Sequence, residues 1–319
     1  MNLEIKKQIV EALESYMTEH GLTQNDVSKR TGVNASYIIE MRKGNYRMKV
    51  SGKDVDIADK HFERIAELTG FQVRKTYWET KPTEQMAEAL EAMCDARDNG
   101  EFRMIIGDTG CGKTYVAKIF KRKYPNDVFY IKVSKLDDIR MLLLKLLDVT
   151  GSPTPPRTGV SWLLSSVCSN LQKMSYEGRK PVLVFDESEY MKQSALCLIK
   201  ELYDYVIDEG HYCGIVLIGH YQLSGNIEQL RRRNKDGIPQ FCRRTKFGMR
   251  QLPKIDRNFT QFLEGIEDKK LRKFLQNNCE NYGELHDVLV PALREAERTG
   301  EEVTEDFVRK LLNMPARND

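Results

Sequence analysis

The chain has 319 residues, 40% hydrophobic and 30% charged, with 50 basic and 47 acidic side chains for a net charge of +3. That balance excludes a disordered chain, which could not bury enough apolar surface to offset its entropy. No apolar run approaches the ~18–20 residues of a spanning helix, so no membrane role is expected. At ~150 residues per domain the length predicts about two domains. The seven cysteines form no C-x-x-C pair, and the first residues lack a secretory apolar core. Free thiols in a reducing cytoplasm are the expectation, rather than a disulfide scaffold or a zinc ribbon.

Residues 1–72 read as a compact helical block. Thr23 can cap a helix from Gln24 to about Arg30, Gly32 supplies a turn, and Asn34 can cap a second helix. Val27, Val33 and Ile38 fit the small apolar set that holds two such helices at a steep angle. Residues 22–44 resemble the helix-turn-helix of the phage-repressor (XRE-like) group. The resemblance implies that Asn34, Ala35, Ser36, Tyr37 and Glu40 face a major groove, while Gln24, Arg42, Lys43 and Arg47 reach phosphates. No arginine stands in the groove-facing set, so weak sequence selectivity is expected. From Lys29 to Lys53 the net charge is +6, and from Arg231 to Arg250 it is +7. Such clusters suit a polyanion, or form two solvated faces.

Residues 73–82 read as a connector ending at Pro82. Residues 83–252 alternate helical stretches with β-rich runs at 102–106, 128–133, 182–185, 215–218 and 246–252, which predicts an α/β unit with a parallel sheet. The segment 151–159 is a loop, and residues 253–319 return to helices.

The sequence Gly107-Asp108-Thr109-Gly110-Cys111-Gly112-Lys113-Thr114 satisfies G-x-x-x-x-G-K-[ST] between a strand and a helix that opens at Tyr115. Glycines let successive N–H groups turn inward around a polyphosphate. Lys113 is expected at the β/γ-phosphates and Thr114 on Mg²⁺. An apolar strand ending in Asp186-Glu187 supplies a magnesium carboxylate, Asp186, and a general base, Glu187, expected deep in the site. The pair could also simply cap a helix. His220, at the end of the next strand, could orient water or sense the γ-phosphate, or be a hydrogen-bonded strand-end histidine.

These residues, in this order, resemble the AAA+ ATPases over about 83–312. The resemblance implies a three-layer fold with a P-loop sheet of order 5-1-4-3-2, a helical lid over 253–319, and ATP at the interfaces of a homo-oligomer. It places His286 of Gly283-Glu284-Leu285-His286 where a lid arginine usually stands, and nominates Arg243 or Arg244 as a trans-acting finger. The N-terminal block, the ATPase and a short helical end together resemble the DNA-transposition ATPases of Mu-type phages and related transposons. That implies ATP-dependent polymerisation on double-stranded DNA as a filament or ring, largely independent of sequence, in a bacterial host cytoplasm. It also implies recruitment of a transposase. Lys135 and Lys192 are the basic residues expected along the DNA. Two other readings share much of the sequence: a helicase-loading or replication-initiation ATPase, and a transcription regulator that uses nucleotide only as a ligand.

Overall fold

A computed structural model describes residues 1, 3–50, 53–71, 77–153 and 159–315. Part of the connector expected at 73–82, and of the loop expected at 151–159, lies outside the described residues. The chain divides into two compact units, Met1–Tyr77 and Trp78–Asp319.

The first unit runs α1 (Leu3–His20), α2 (Gln24–Thr31), α3 (Ala35–Arg42), β1 (Arg47–Val50), β2 (Lys53–Asp56) and α4 (Asp59–Thr69). Local chemistry sets the α2–α3 corner. Thr23 and Asp26 form a reciprocal capping box, and Gly32 ends α2 at φ +67°, a left-handed conformation that glycine adopts without strain. The Asn34 side chain then caps α3 by accepting from the Ser36 N–H. Val27, Val33, Ile38 and Met41 close over Leu13, Phe62 and Ile65 to form one core. Each such burial stabilises by about 1.5–3 kcal/mol. The wholly helical reading of this block omits the antiparallel β1–β2 hairpin, in which Arg47 pairs with Asp56. Its strands are four residues long and rich in charge, so they carry little apolar alternation to reveal them.

The second unit runs α5 (Glu84–Asn99), β3 (Phe102–Ile106), α6 (Lys113–Lys123), β4 (Val128–Lys132), α7 (Ile139–Thr150), α8 (Val160–Tyr176), β5 (Val182–Asp186), a 3₁₀ turn (Ser188–Tyr190) and α9 (Gln193–Asp208). It continues through β6 (Gly214–Gly219), α10 (Tyr221–Arg232), α11 (Ile238–Thr245) and β7 (Met249–Gln251) to α12 (Thr260–Leu263), α13 (Lys269–Asn278), α14 (Tyr282–Thr299) and α15 (Glu305–Leu311).

The five strands β3–β7 form an all-parallel sheet of order β4-β5-β6-β3-β7. Counted from β3 as the first, this is the expected 5-1-4-3-2. Alternate residues feed opposite layers. Leu183, Phe185, Ile215 and Leu217 enter a core with α7–α11, while Val182, Val184, Val216 and Ile218 enter a core with α5 and α6. That period-2 division makes the unit three-layered. The last strand is shorter than the run 246–252, because Gly248 N–H bonds back to Thr245 O and turns the chain before β7. The C-terminal helices have their own core of Phe259, Leu271, Phe274, Leu285, Leu289 and Val308.

Candidate nucleotide site

The loop 107–112 leaves the C-terminal end of β3 and enters α6 at Lys113. Gly110 and Gly112 adopt φ +72° and +93°. A Cβ on Gly110 would lie 2.1 Å from the Asn281 side-chain oxygen, at the N-cap of α14. Gly283 N–H also donates to Gly110 O at 3.2 Å, so the start of α14 is seated on the phosphate loop. Lys113 Nζ donates to Gly107 O at 2.8 Å and Asp108 O at 2.6 Å, which holds the ammonium over the loop. Cys111 is buried, and burial pushes its thiol up despite nearby Lys113, so it stays a neutral packing group.

The two acids differ in setting. Asp186 is 2% exposed and accepts three hydrogen bonds. Thr114 Oγ1 and Tyr130 Oη each donate to Oδ2 at 2.7 Å, and Glu187 N–H donates to Oδ1 at 3.0 Å. Burial, then Asp186, push the Tyr130 phenol up, so it remains a donor. Glu187 has left-handed backbone angles, φ 57° and ψ 37°. For a non-glycine residue that conformation is uncommon and is held by its surroundings. Its carboxylate ion-pairs with Lys132 at 2.9 Å, with 36% of the side chain exposed. The expectation of a deeply buried Glu187 is therefore corrected: the buried acid is Asp186. Strand pairing explains the difference, since Lys132 stands opposite Asp186 on the edge strand β4 and reaches the following residue.

A cavity of about 490 Å³ joins these groups. Thr109–Val116, Asp186, Glu187 and His220 line its polar part. Trp78, Phe262, Tyr282 and His286 line an aromatic part. Trp78 stacks on Phe262 with centroids 4.8 Å apart, and His286 meets the Trp78 ring edge-on at 5.2 Å. His286 Nδ1 lies 3.0 Å from Asp287. Thr80 and Tyr115 hydroxyls hydrogen-bond, tying the segment after Trp78 to the first turn of α6. Glu189, which the sequence reading passed over, also lines the cavity, and its carboxylate accepts from His220 N–H at 3.4 Å.

The volume suits a nucleotide-sized ligand. The described residues contain no group of three or more His, Cys, Asp or Glu able to hold a metal by themselves. The Thr114 hydroxyl beside the Asp186 carboxylate fits magnesium, which takes few protein ligands and completes its shell with phosphate oxygens and water.

The remaining expected residues are not drawn into this cavity. Arg243 and Arg244 line a separate cleft with Glu101, Phe102 and Arg103 at the start of β3, the opposite end of that strand from the phosphate loop. Arg244 ion-pairs with Asp204 at 2.8 Å, whereas Arg243 is exposed and has no acidic partner among the described residues. In the first unit, Arg42 pairs with Glu14 at 2.5 Å and donates to Gln24 at 3.3 Å. Lys43 pairs with Glu40 and Arg47 with Asp56, both at 2.8 Å. Ser36 donates to Asn34, and the Tyr37 ring meets His61 edge-on. Lys135 and Lys192 are exposed, the first beside Lys132 in an open groove along β4.

A family model described as an AAA domain matches residues 61–227. The General secretion pathway protein A of Aeromonas hydrophila is 26% identical over 46% of this chain, which spans only 27% of that relative's length. The Mu-like prophage FluMu DNA transposition protein B of Haemophilus influenzae is 21% identical over 66% of this chain and 69% of its own. Among solved structures, the ORC2 protein of Aeropyrum pernix aligns with a TM-score of 0.53 at 18% identity, over 74% of this chain and 68% of that one. The Cdc6p of Pyrobaculum aerophilum aligns at 0.55 and 15% identity, with the same coverages. The Orc1 of Aeropyrum pernix, solved in complex with DNA, aligns at 0.55 and 16% identity, over 76% of this chain and 67% of its own. With its parallel sheet and phosphate loop followed by a paired acid strand, the chain belongs to the AAA domain family of P-loop ATPases.

Proposed function

We propose that this protein hydrolyses ATP with magnesium, assembles on double-stranded DNA in its ATP-bound state, and selects target DNA for a transposase that it recruits. The observation that carries the hydrolytic part is the convergence of Lys113, Thr114, Asp186 and Glu187 on one cavity. Lys113 holds the β/γ-phosphates as a point charge. Thr114, fixed by Asp186, offers its oxygen to the magnesium ion, which supplies charge neutralisation on the phosphates. Glu187, once turned from Lys132, takes the proton of the attacking water. His220 orients that water, and Glu189 holds the backbone of His220. The aromatic set around Trp78 suits a stacked base. In a homo-oligomer, Arg243 would reach a neighbouring nucleotide, since Arg244 is engaged by Asp204.

The DNA part rests on the capped α2–α3 corner, read as a helix-turn-helix, and on the two basic clusters. It rests also on likeness to a protein named for DNA transposition. Among the groove-facing side chains Ser36 is bonded to Asn34, Tyr37 meets His61 of α4, and Glu40 accepts from Lys43 and Asn45, which supports binding largely independent of sequence. Electron microscopy of the protein on plain duplex DNA, with and without ATP and magnesium, tests the reading. Ordered assemblies that require ATP are expected, and solitary molecules under both conditions would refute it.

A further inference from the structure

The structure assigns Tyr130, on β4, as a positioning residue for the magnesium carboxylate Asp186. This inference rests on the reading of the cavity as a magnesium–nucleotide site. Thr114 has one hydroxyl proton, and it is committed to Asp186 Oδ2 at 2.7 Å. The lone pairs of that hydroxyl are then left for a cation, but only while Asp186 keeps its present rotation. Thr114 alone would let the carboxylate swing about one contact. Tyr130 Oη supplies a second donor to the same oxygen, also at 2.7 Å, from a different strand. Glu187 N–H holds the other oxygen at 3.0 Å. Three donors from separate directions leave a buried charge with one orientation, and removing a donor to such a charge is costly. Partners of this kind, one step removed from the metal, typically alter metal affinity ten- to hundredfold.

The phenol is suited to the task. It is half-buried, and its hydroxyl donates directly to the carboxylate. It stands on β4 opposite Val184, two residues before Asp186 on β5, so the sheet's register and not a mobile loop sets its reach.

The test is equilibrium binding of a fluorescent, non-hydrolysable ATP analogue to the full chain, in EDTA and across a magnesium titration, with thermal unfolding recorded for each variant. Tyr130→Phe should bind the analogue in EDTA within about twofold of the parent, and require about tenfold more magnesium to reach the high-affinity state. Tyr130→His, which keeps a ring and a donor, should recover most of that shift. Tyr176→Phe, which removes a hydroxyl from an 87% exposed tyrosine, should titrate like the parent. A folded Tyr130→Phe protein with an unchanged magnesium midpoint overturns the assignment. So does failure of both Tyr130 variants to fold, which would make the residue purely structural. If only the Phe variant unfolds, a His variant with the parental midpoint supports it, and one with a tenfold shift overturns it. A parent protein that binds no analogue, or binds it without regard to magnesium, defeats the nucleotide reading itself.

Discussion

The two compact units treat their polar side chains in opposite ways. In the second unit, Thr114, Tyr130 and the Glu187 backbone point at one buried carboxylate, and that cluster opens on a cavity. In the first unit, Arg42, Lys43 and Arg47 each pair with a nearby acid on an exposed face. Exposed pairs are worth ~0–1 kcal/mol and exchange readily for another anion. Buried, multiply bonded charges do not exchange. On the proposed function, the contrast separates a site that must hold one geometry from a surface that would accept many DNA sequences.

That contrast can be broken most sharply at Lys113. Lys113→Ala should weaken nucleotide binding at least about hundredfold in equilibrium dialysis and remove ATP-dependent DNA assembly, because a charge held over the loop has no substitute. Glu187→Gln should lower steady-state hydrolysis about 10²–10⁴-fold while nucleotide affinity stays within about threefold, since the base acts only in the reaction. Near-normal turnover would shift attention to Glu189. On the DNA side, raising salt from about 50 to 200 mM should lower affinity for random duplex about hundredfold if some four phosphates are contacted. A flat response in fluorescence anisotropy would contradict the exchangeable surface. Arg42→Ala should cost tenfold or less, equally on unrelated duplex sequences, because on the proposed reading it removes one phosphate contact from a guanidinium already paired with Glu14.

The smallest expected effect concerns acid stability of the first unit. Hydrogen bonds from Thr23 hold Asp26 below its ordinary value of 3.8, and Lys6 and the N-terminus do the same for Asp59. Carboxylates lowered by folding stabilise the unit above that value and lose the contribution as pH falls below it. A circular-dichroism pH titration should show Asp26→Asn and Asp59→Asn proteins with a shallower acid transition below about pH 4.

The outline of the second unit was legible because its strands are continuous apolar runs and its phosphate loop is a contiguous motif. The α2–α3 corner was legible because capping is local: Thr23, Gly32 and Asn34 each act within four residues. What the sequence concealed lies across strands. Tyr130 meets Asp186, and Lys132 meets Glu187, only because β4 and β5 pair in a particular register, and no local pattern sets that register. Arg244 and Asp204 are 40 positions apart and join through the packing of α9 on α11, so the sequence left Arg243 and Arg244 equivalent. Glu189 was hidden inside a turn whose geometry depends on the unusual backbone of Glu187.

The seat of α14 on Gly110 bears on how long a spent nucleotide stays. On the proposed hydrolytic reading, with Asn281 and Gly283 resting on the loop's tip, ADP would depart only as α14 lifts, and that contact would set the off-rate. Gly110→Ala, whose methyl would press against the Asn281 side chain, should prop the lid and hasten product escape.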